Sequence, residues 1–241
     1  MHASSTASNH DATTTLGGSL WVLSGVQFAI AQFVVAAAWS PPYSWTNNYI
    51  SDLGNTACGD FAVPHGAASY VCSPLAPVMN ASFIVSGVLV IGGVLLLVAA
   101  WQRRRITAAT ICLWLIAGLG KIGVGLVPEN TNINLHLLAA CNIPLESVAS
   151  LLLGVAVLGS HKWLGLIGIG LAVLGFVGTL LGIAGEVAGP SLYLGLGPGG
   201  IERLAEYPAT LWRFAFGAAV AFNVARTRLG WIDRALSART A

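Results

Sequence analysis

The sequence predicts an all-α, polytopic integral membrane bundle of six transmembrane helices. Composition is the first observation behind this. Hydrophobic residues make up 56% of the 241-residue chain, charged residues 8%, and mean hydropathy is +0.77; a soluble domain is about 25% charged. The second is six continuous apolar runs at 18–39, 79–101, 106–127, 135–159, 163–186 and 208–225. A spanning helix needs roughly 20 mostly apolar residues, whereas barrel strands show segments of about ten with alternating polarity. The third is the placement of basic residues. Arg103, Arg104 and Arg105, then Lys162, then Arg226, Arg228, Arg234 and Arg239 all fall on one side of a six-span arrangement, against Arg203 on the other. Lys and Arg in short loops mark the cytoplasmic side, so both termini are expected in the cytoplasm of a cell-membrane protein.

The elements follow in order. Residues 1–17 are rich in Ser, Thr, Asn and Ala, lack Lys and Arg, and read as a disordered cytoplasmic tail. They are not the positive n-region of a cleavable signal, and the apolar stretch before Ala36-Ala37-Ala38 is longer than a signal h-region, so the first span is expected to be retained. The six-helix domain covers 18–225, and 226–241 is a basic cytoplasmic tail. The net charge of +2 comes with no basic patch, so nucleic acid is not an expected partner. The expected partner is membrane lipid. An inverted repeat of three plus three helices is unsupported, because the long loop at 40–78 has only 160–162 as its counterpart.

The fifth span repeats small residues at steps of three and four: Gly165, Gly168, Ala172, Gly175, Thr179 and Gly182, leading to Glu186. Such a face lets another helix approach closely, and is a candidate contact for a membrane-protein partner or a second copy. Cys58 and Cys72 share the long external loop, where an oxidising exterior favours a disulfide contributing on the order of 3 kcal/mol. Cys112 and Cys141 lie in helices, and no Cys-x-x-Cys marks a thiol redox enzyme.

Four ionisable residues fall inside the spans: Lys121, Glu146, Glu186 and Arg213, summing to no formal charge. Charges in hydrocarbon are costly unless paired or hydrated, so a closed ion-pair network is expected, with a ligand or proton site as the alternative. Asn142, Glu146 and Ser150 share one helix face, and Glu146 lies roughly 15 Å below His136 at 1.5 Å per residue. Pro144 has no N–H to offer the Ala140 carbonyl, a break tolerated where polar groups are near.

Further polar residues gather at the external helix ends: Ile50-Ser51-Asp52-Leu53-Gly54, then Asn80, then Pro128-Glu129 with His136 downstream, then Glu202-Arg203 with Tyr207-Pro208. In order and position these stretches resemble the domain of unknown function 998 family of bacterial and archaeal membrane proteins. The resemblance implies the multi-pass architecture and assigns no activity. The candidate catalytic residues are Asp52, Glu129 and His136, because a carboxylate–His pair at an interface activates water. Asn80, Lys121, Asn142, Glu146, Glu186, Glu202, Arg203 and Arg213 are the candidate binding residues. Singly, Asp52 reads as a cap or loop anchor and Glu202–Arg203 as an exposed ion pair. No metal or other cofactor is expected: His-x-x-x-His and His-Glu-x-x-His are absent, and Ser51 lacks a Gly-x-Ser-x-Gly elbow. The favoured function is binding or processing a lipid or amphiphile at an extracytoplasmic polar pocket. The alternatives are an accessory subunit of a larger complex and a small proton-coupled transporter.

Overall fold

Backbone polar groups in hydrocarbon must be satisfied within their own segment, and the apolar runs accordingly fold as helices. The computed structural model describes residues 2–61, 69–98 and 105–237, with side chains described for 11–61, 69–98 and 105–222. Helix α1 spans His2–Ala37, α2 Ala76–Leu97, α3 Arg105–Leu126, α4 Ile133–Ala140, α5 Asn142–Val157, α6 Lys162–Ala188 and α7 Gly197–Ser237. Strands β1 (Gly59–Phe61) and β2 (Ser69–Val71) form an antiparallel hairpin in the first loop, with Asp60 opposite Tyr70. Cys58 and Cys72 flank it and are joined as a disulfide.

Five of the spans are long and apolar enough to cross a membrane on length and composition: Asp11–Ala37, Ala76–Leu97, Arg105–Leu126, Ile133–Val157 and Lys162–Ala188. The sixth is α7, whose first half carries Glu202, Arg203, Glu206 and Arg213. Each span packs on the next, and α7 returns to α1, so the six form a closed ring with α5 also touching α7. Thr14 is buried and Gly17 sits against Leu97, so the bundle uses α1 ahead of Gly18.

The fourth span is two helices. Cys141 is a turn residue between them, its ψ opened to −9°, and Pro144 cannot donate to the Ala140 carbonyl. The Asn142 side chain donates to the Ala139 carbonyl at 3.0 Å and so stitches the break. At the other end of the chain, the sixth span starts at Gly197 rather than at 208, and Pro208 lies within it.

The small-residue face of α6 is used inside the chain. Gly168 lies on the Trp212 ring, Gly175 faces Ser147 and the Ala205 carbonyl, and Gly165 meets Gly154 on α5. Between α2 and α3, Gly87 and Gly118 make the close crossing, each lying against the other's backbone carbonyl. Two cores result. One, beneath the disulfide loop, joins Phe28, Val35, Trp39, Tyr43, Ile50, Leu53, Met79, Phe83 and Val124. The other fills the opposite half with Trp21, Val90, Val94, Leu97, Trp114, Leu153, Trp212 and Phe216.

Candidate functional site

The intramembrane charges form one network on α3, α5 and α7. Lys121 Nζ donates to Glu146 Oε1 at 3.3 Å and to Glu206 Oε1. Arg213 Nη1 donates to Glu146 Oε2 at 2.6 Å. Thr210 closes the ring, donating to Glu206 at 3.2 Å and accepting from Arg213 Nη2 at 3.3 Å. Exposure is 1% for Lys121 and 0% for Glu146 and Arg213, so bulk water does not screen these pairs and each charge depends on its partner. The cations also lie over aromatic faces, Lys121 over Phe28 at 5.0 Å and Arg213 over Trp114 at 5.4 Å.

The network is neutral as expected, but one member differs. Glu206 takes the place assigned to Glu186. Because α7 begins at Gly197, Glu206, Thr210 and Arg213 fall at i, i+4 and i+7 on one helix face. Glu186 instead accepts the Tyr193 hydroxyl at 2.6 Å and the Tyr49 hydroxyl, both near the disulfide loop. Burial, then the bond to Glu186, pushes the Tyr193 phenol up to about 12. The Tyr49 phenol is driven higher still by the same two causes.

Glu202 and Arg203 do not pair with each other at the surface. Arg203 is buried, and its Nη1 donates to the carbonyls of Trp45 at 2.9 Å, Asn48 at 3.0 Å and Gly199 at 2.8 Å. Its Nη2 donates to the Tyr43 hydroxyl, and the guanidinium lies over the Trp45 ring at 4.9 Å. The Tyr43 hydroxyl in turn donates to the Tyr49 carbonyl at 2.7 Å. Glu202 accepts the Ile50 N–H. One residue of each sign thus straps the first loop onto α7. Burial drives the Tyr43 phenol far above its ordinary range.

The loop also contributes a carboxyl pair. Asp52 Oδ2 accepts the Tyr49 N–H at 2.8 Å and the Asn48 side chain at 3.2 Å. Burial, then the adjacent Glu129 carboxylate, raises the Asp52 carboxyl to about 8. Asn55 donates to Glu129 Oε1 at 2.8 Å, and Asn80 donates to the Gly54 carbonyl at 2.9 Å. A side chain at Gly54 would run into the Asn80 amide, which is why glycine stands there.

Between these two tiers lies a cavity of about 30 Å³, lined among others by Ser51, Lys121, His136, Asn142, Glu202 and Glu206. That is room for a water-sized group, far short of a lipid. His136 is buried, and its Nδ1–H donates to the Val127 carbonyl at 2.8 Å, which makes Nε2 the acceptor of the neutral ring. The three candidate catalytic residues therefore divide. Asp52 and Glu129 face each other, while His136 lines the cavity below them. Among the described residues, no three of His, Cys, Asp and Glu are grouped as a metal ion would need.

Two contributors escape the sequence. Glu206 was hidden by the late start given to the last span. The other is a polar clasp between α1 and α2, where Ser82 donates to Gln27 at 2.9 Å and Gln27 donates to the Ser82 carbonyl at 3.2 Å. Ser82 and Ser86, one turn apart on α2, with Gln27 inside the first apolar run, are the signal that would have found it.

A closed ring of apolar helices around a neutral interior charge network defines a multi-pass helical membrane protein with a polar interior. The family is shown as well: the model for Protein of unknown function (DUF998) matches residues 22–219. The chain belongs to that family. No curated protein and no solved structure matches it.

Proposed function

We propose that this protein binds the polar end of a membrane amphiphile at its disulfide-bearing face, with that face extracytoplasmic and both termini in the cytoplasm. The one-sidedness of the polar interior carries this reading. The cavity lined by Lys121, His136, Asn142, Glu202 and Glu206 lies beneath the first loop, whereas Trp21, Trp114, Trp212 and Phe216 pack the opposite half. A ligand approaching from one leaflet meets donors and acceptors; from the other it meets packed rings. The cavity's size limits what enters to a hydroxyl, an amine or a water, so the rest of the amphiphile lies outside it. His136 and Glu202 would then discriminate between heads by hydrogen bonding. Asn142 Oδ1 is buried without a hydrogen-bond partner and supplies a further acceptor.

The test is lipid retained through purification, read by native mass spectrometry. Wild type is expected to carry one lipid class that both His136→Ala and Glu202→Gln lose together. An unchanged lipid profile in both folded variants would overturn the reading. Orientation is tested in a background with Cys112 and Cys141 replaced by Ala. Cysteines at Ala57, Thr131 and Ser191 are expected to react with an impermeant thiol reagent from outside intact cells, and one at His161 is not. The reverse pattern would put the polar face in the cytoplasm.

A second reading has its own observation. The break between α4 and α5 sits at the cavity and a little over one turn before Glu146. Discontinuous helices beside buried charges are where coupling ions and protons are handled in transporters. A proton-coupled carrier would require the aromatic half to open. Proteoliposome proton uptake that is abolished by Glu206→Gln would favour it over headgroup binding.

A further inference from the structure

We propose that Asp52, Asn55, Asn80 and Glu129 form a binding site for a hard divalent cation of the calcium or magnesium class on the disulfide-bearing face. The residues come from three elements. Asp52 and Asn55 stand at i and i+3 in the 3-10 turn Ser51–Gly54 and the residue after it, Asn80 is in the first turns of α2, and Glu129 follows α3. The Asn80–Gly54 and Asn55–Glu129 hydrogen bonds tie the elements together.

Four observations point to a place for a positive charge. Asp52 and Glu129 are set carboxyl against carboxyl, held together without a cation only by a shared proton, and Asp52 is only 3% exposed. Asn55 is 0% exposed, and its Oδ1 has no hydrogen-bond partner among the described residues. Since Asn55 Nδ2 is held by Glu129 Oε1, the orphaned oxygen lies on the same amide head, beside the carboxyl pair. Asn80 repeats the arrangement: its Nδ2 is spent on the Gly54 carbonyl and its buried Oδ1 has no partner. Native interiors leave few such acceptors unmet, because an unpaired buried oxygen keeps its full desolvation cost.

The nearest cations do not meet the need. Arg203 is occupied by three carbonyls and the Tyr43 hydroxyl, and Lys121 by Glu146 and Glu206. A single water can donate to two acceptors but leaves the carboxyls opposed. A divalent cation relieves all four groups together. It balances two carboxylates, and calcium takes carboxylate, Asn and water oxygens in flexible sets of six to eight. The donor set has no thiolate and no imidazole, which is the wrong chemistry for a zinc-type site.

This site is independent of amphiphile binding, and its readout contains no lipid. The full chain, purified in detergent and stripped with chelator, is titrated with CaCl2 and with MgCl2 at constant ionic strength. Thermal unfolding and calorimetry follow the titration. One of the two ions is expected to raise Tm in a saturable way with a midpoint below about 1 mM, the weak end of oxygen-ligand sites, while KCl does not. Glu129→Gln is expected to abolish the shift, Asn80→Ala to weaken affinity at least tenfold, and Asn80→Asp to retain it. If Glu129→Gln does not fold, Asn80→Ala decides. Absence of any shift or heat with both ions in the wild type would overturn the proposal, as would unchanged affinity in Asn80→Ala.

Discussion

The two halves of the bundle fill the same kind of space with opposite materials. Near the disulfide loop the interior is held by charges, each meeting a partner from another helix: Lys121 on α3, Glu146 on α5, Glu206 and Arg213 on α7. In the other half, rings close the interior, with Trp21 tilted against Trp114 at 5.3 Å and against Phe216 at 5.7 Å. Between helices in a membrane there is little hydrophobic driving force, so packing and polar contacts must hold them. The aromatic half depends on dispersion and shape, which fail gradually. The charged half depends on stoichiometry, and losing one partner strands another. A region that costs this much to keep is where function is to be sought.

The largest expected effect breaks the charged half. Glu146→Gln leaves Arg213 without a carboxylate and Lys121 with only Glu206, and should cost about 3–5 kcal/mol, read as thermal unfolding in detergent. Adding Arg213→Gln should recover part of that loss. No recovery would mean that the carboxylate does more than balance charge. Next, reducing the Cys58–Cys72 disulfide, which spans 14 residues, should cost about 3 kcal/mol. The loss should appear as earlier hydrogen exchange in residues 43–55 before any change in α6. In the aromatic half, Trp21→Ala should cost about 3 kcal/mol, mostly lost contact and cavity, and no charge substitution should rescue it. That contrast separates the two halves more sharply than the size of either effect.

The last expected effect is a pH slope. Asp52 is raised to about 8, first by burial and then by Glu129, so without a bound cation the folded protein holds this proton where the unfolded chain has lost it. The stabilisation is therefore complete at low pH and declines as pH rises from about 4 to about 8. Asp52→Asn should flatten the decline measured in chelator. A decline unchanged by that substitution would assign it to other groups.

The spans and the neutrality of the buried charges were legible because hydrocarbon permits few solutions: long apolar runs must be helices, and isolated charges must pair. Pro144 announced the break at Cys141 because a missing N–H is written in the sequence. Pro208 misled for the same reason. It reads as a helix start, yet α7 runs through it from Gly197, and Glu206 enters the network only when that extra length is known. The positions of Asp52, Glu129 and His136 on converging helix ends were legible, but their division was not. Whether His136 meets the acids or the cavity depends on how α4 is offset by the break, a tertiary quantity. Tyr49 and Tyr193, which claim Glu186, sit in loops whose path no periodicity describes.

The central claim is that the polar half admits water from one face while the aromatic half stays dry. Hydroxyl-radical footprinting of the wild-type protein tests it directly, because radicals formed from internal water oxidise the side chains around it. His136, Phe28 and Phe83, which line the cavity, should be modified despite their burial. Trp21, Trp114 and Trp212, intrinsically more reactive rings and fully buried, should be protected. Oxidised tryptophans beside unmodified His136 and Phe83 would contradict it.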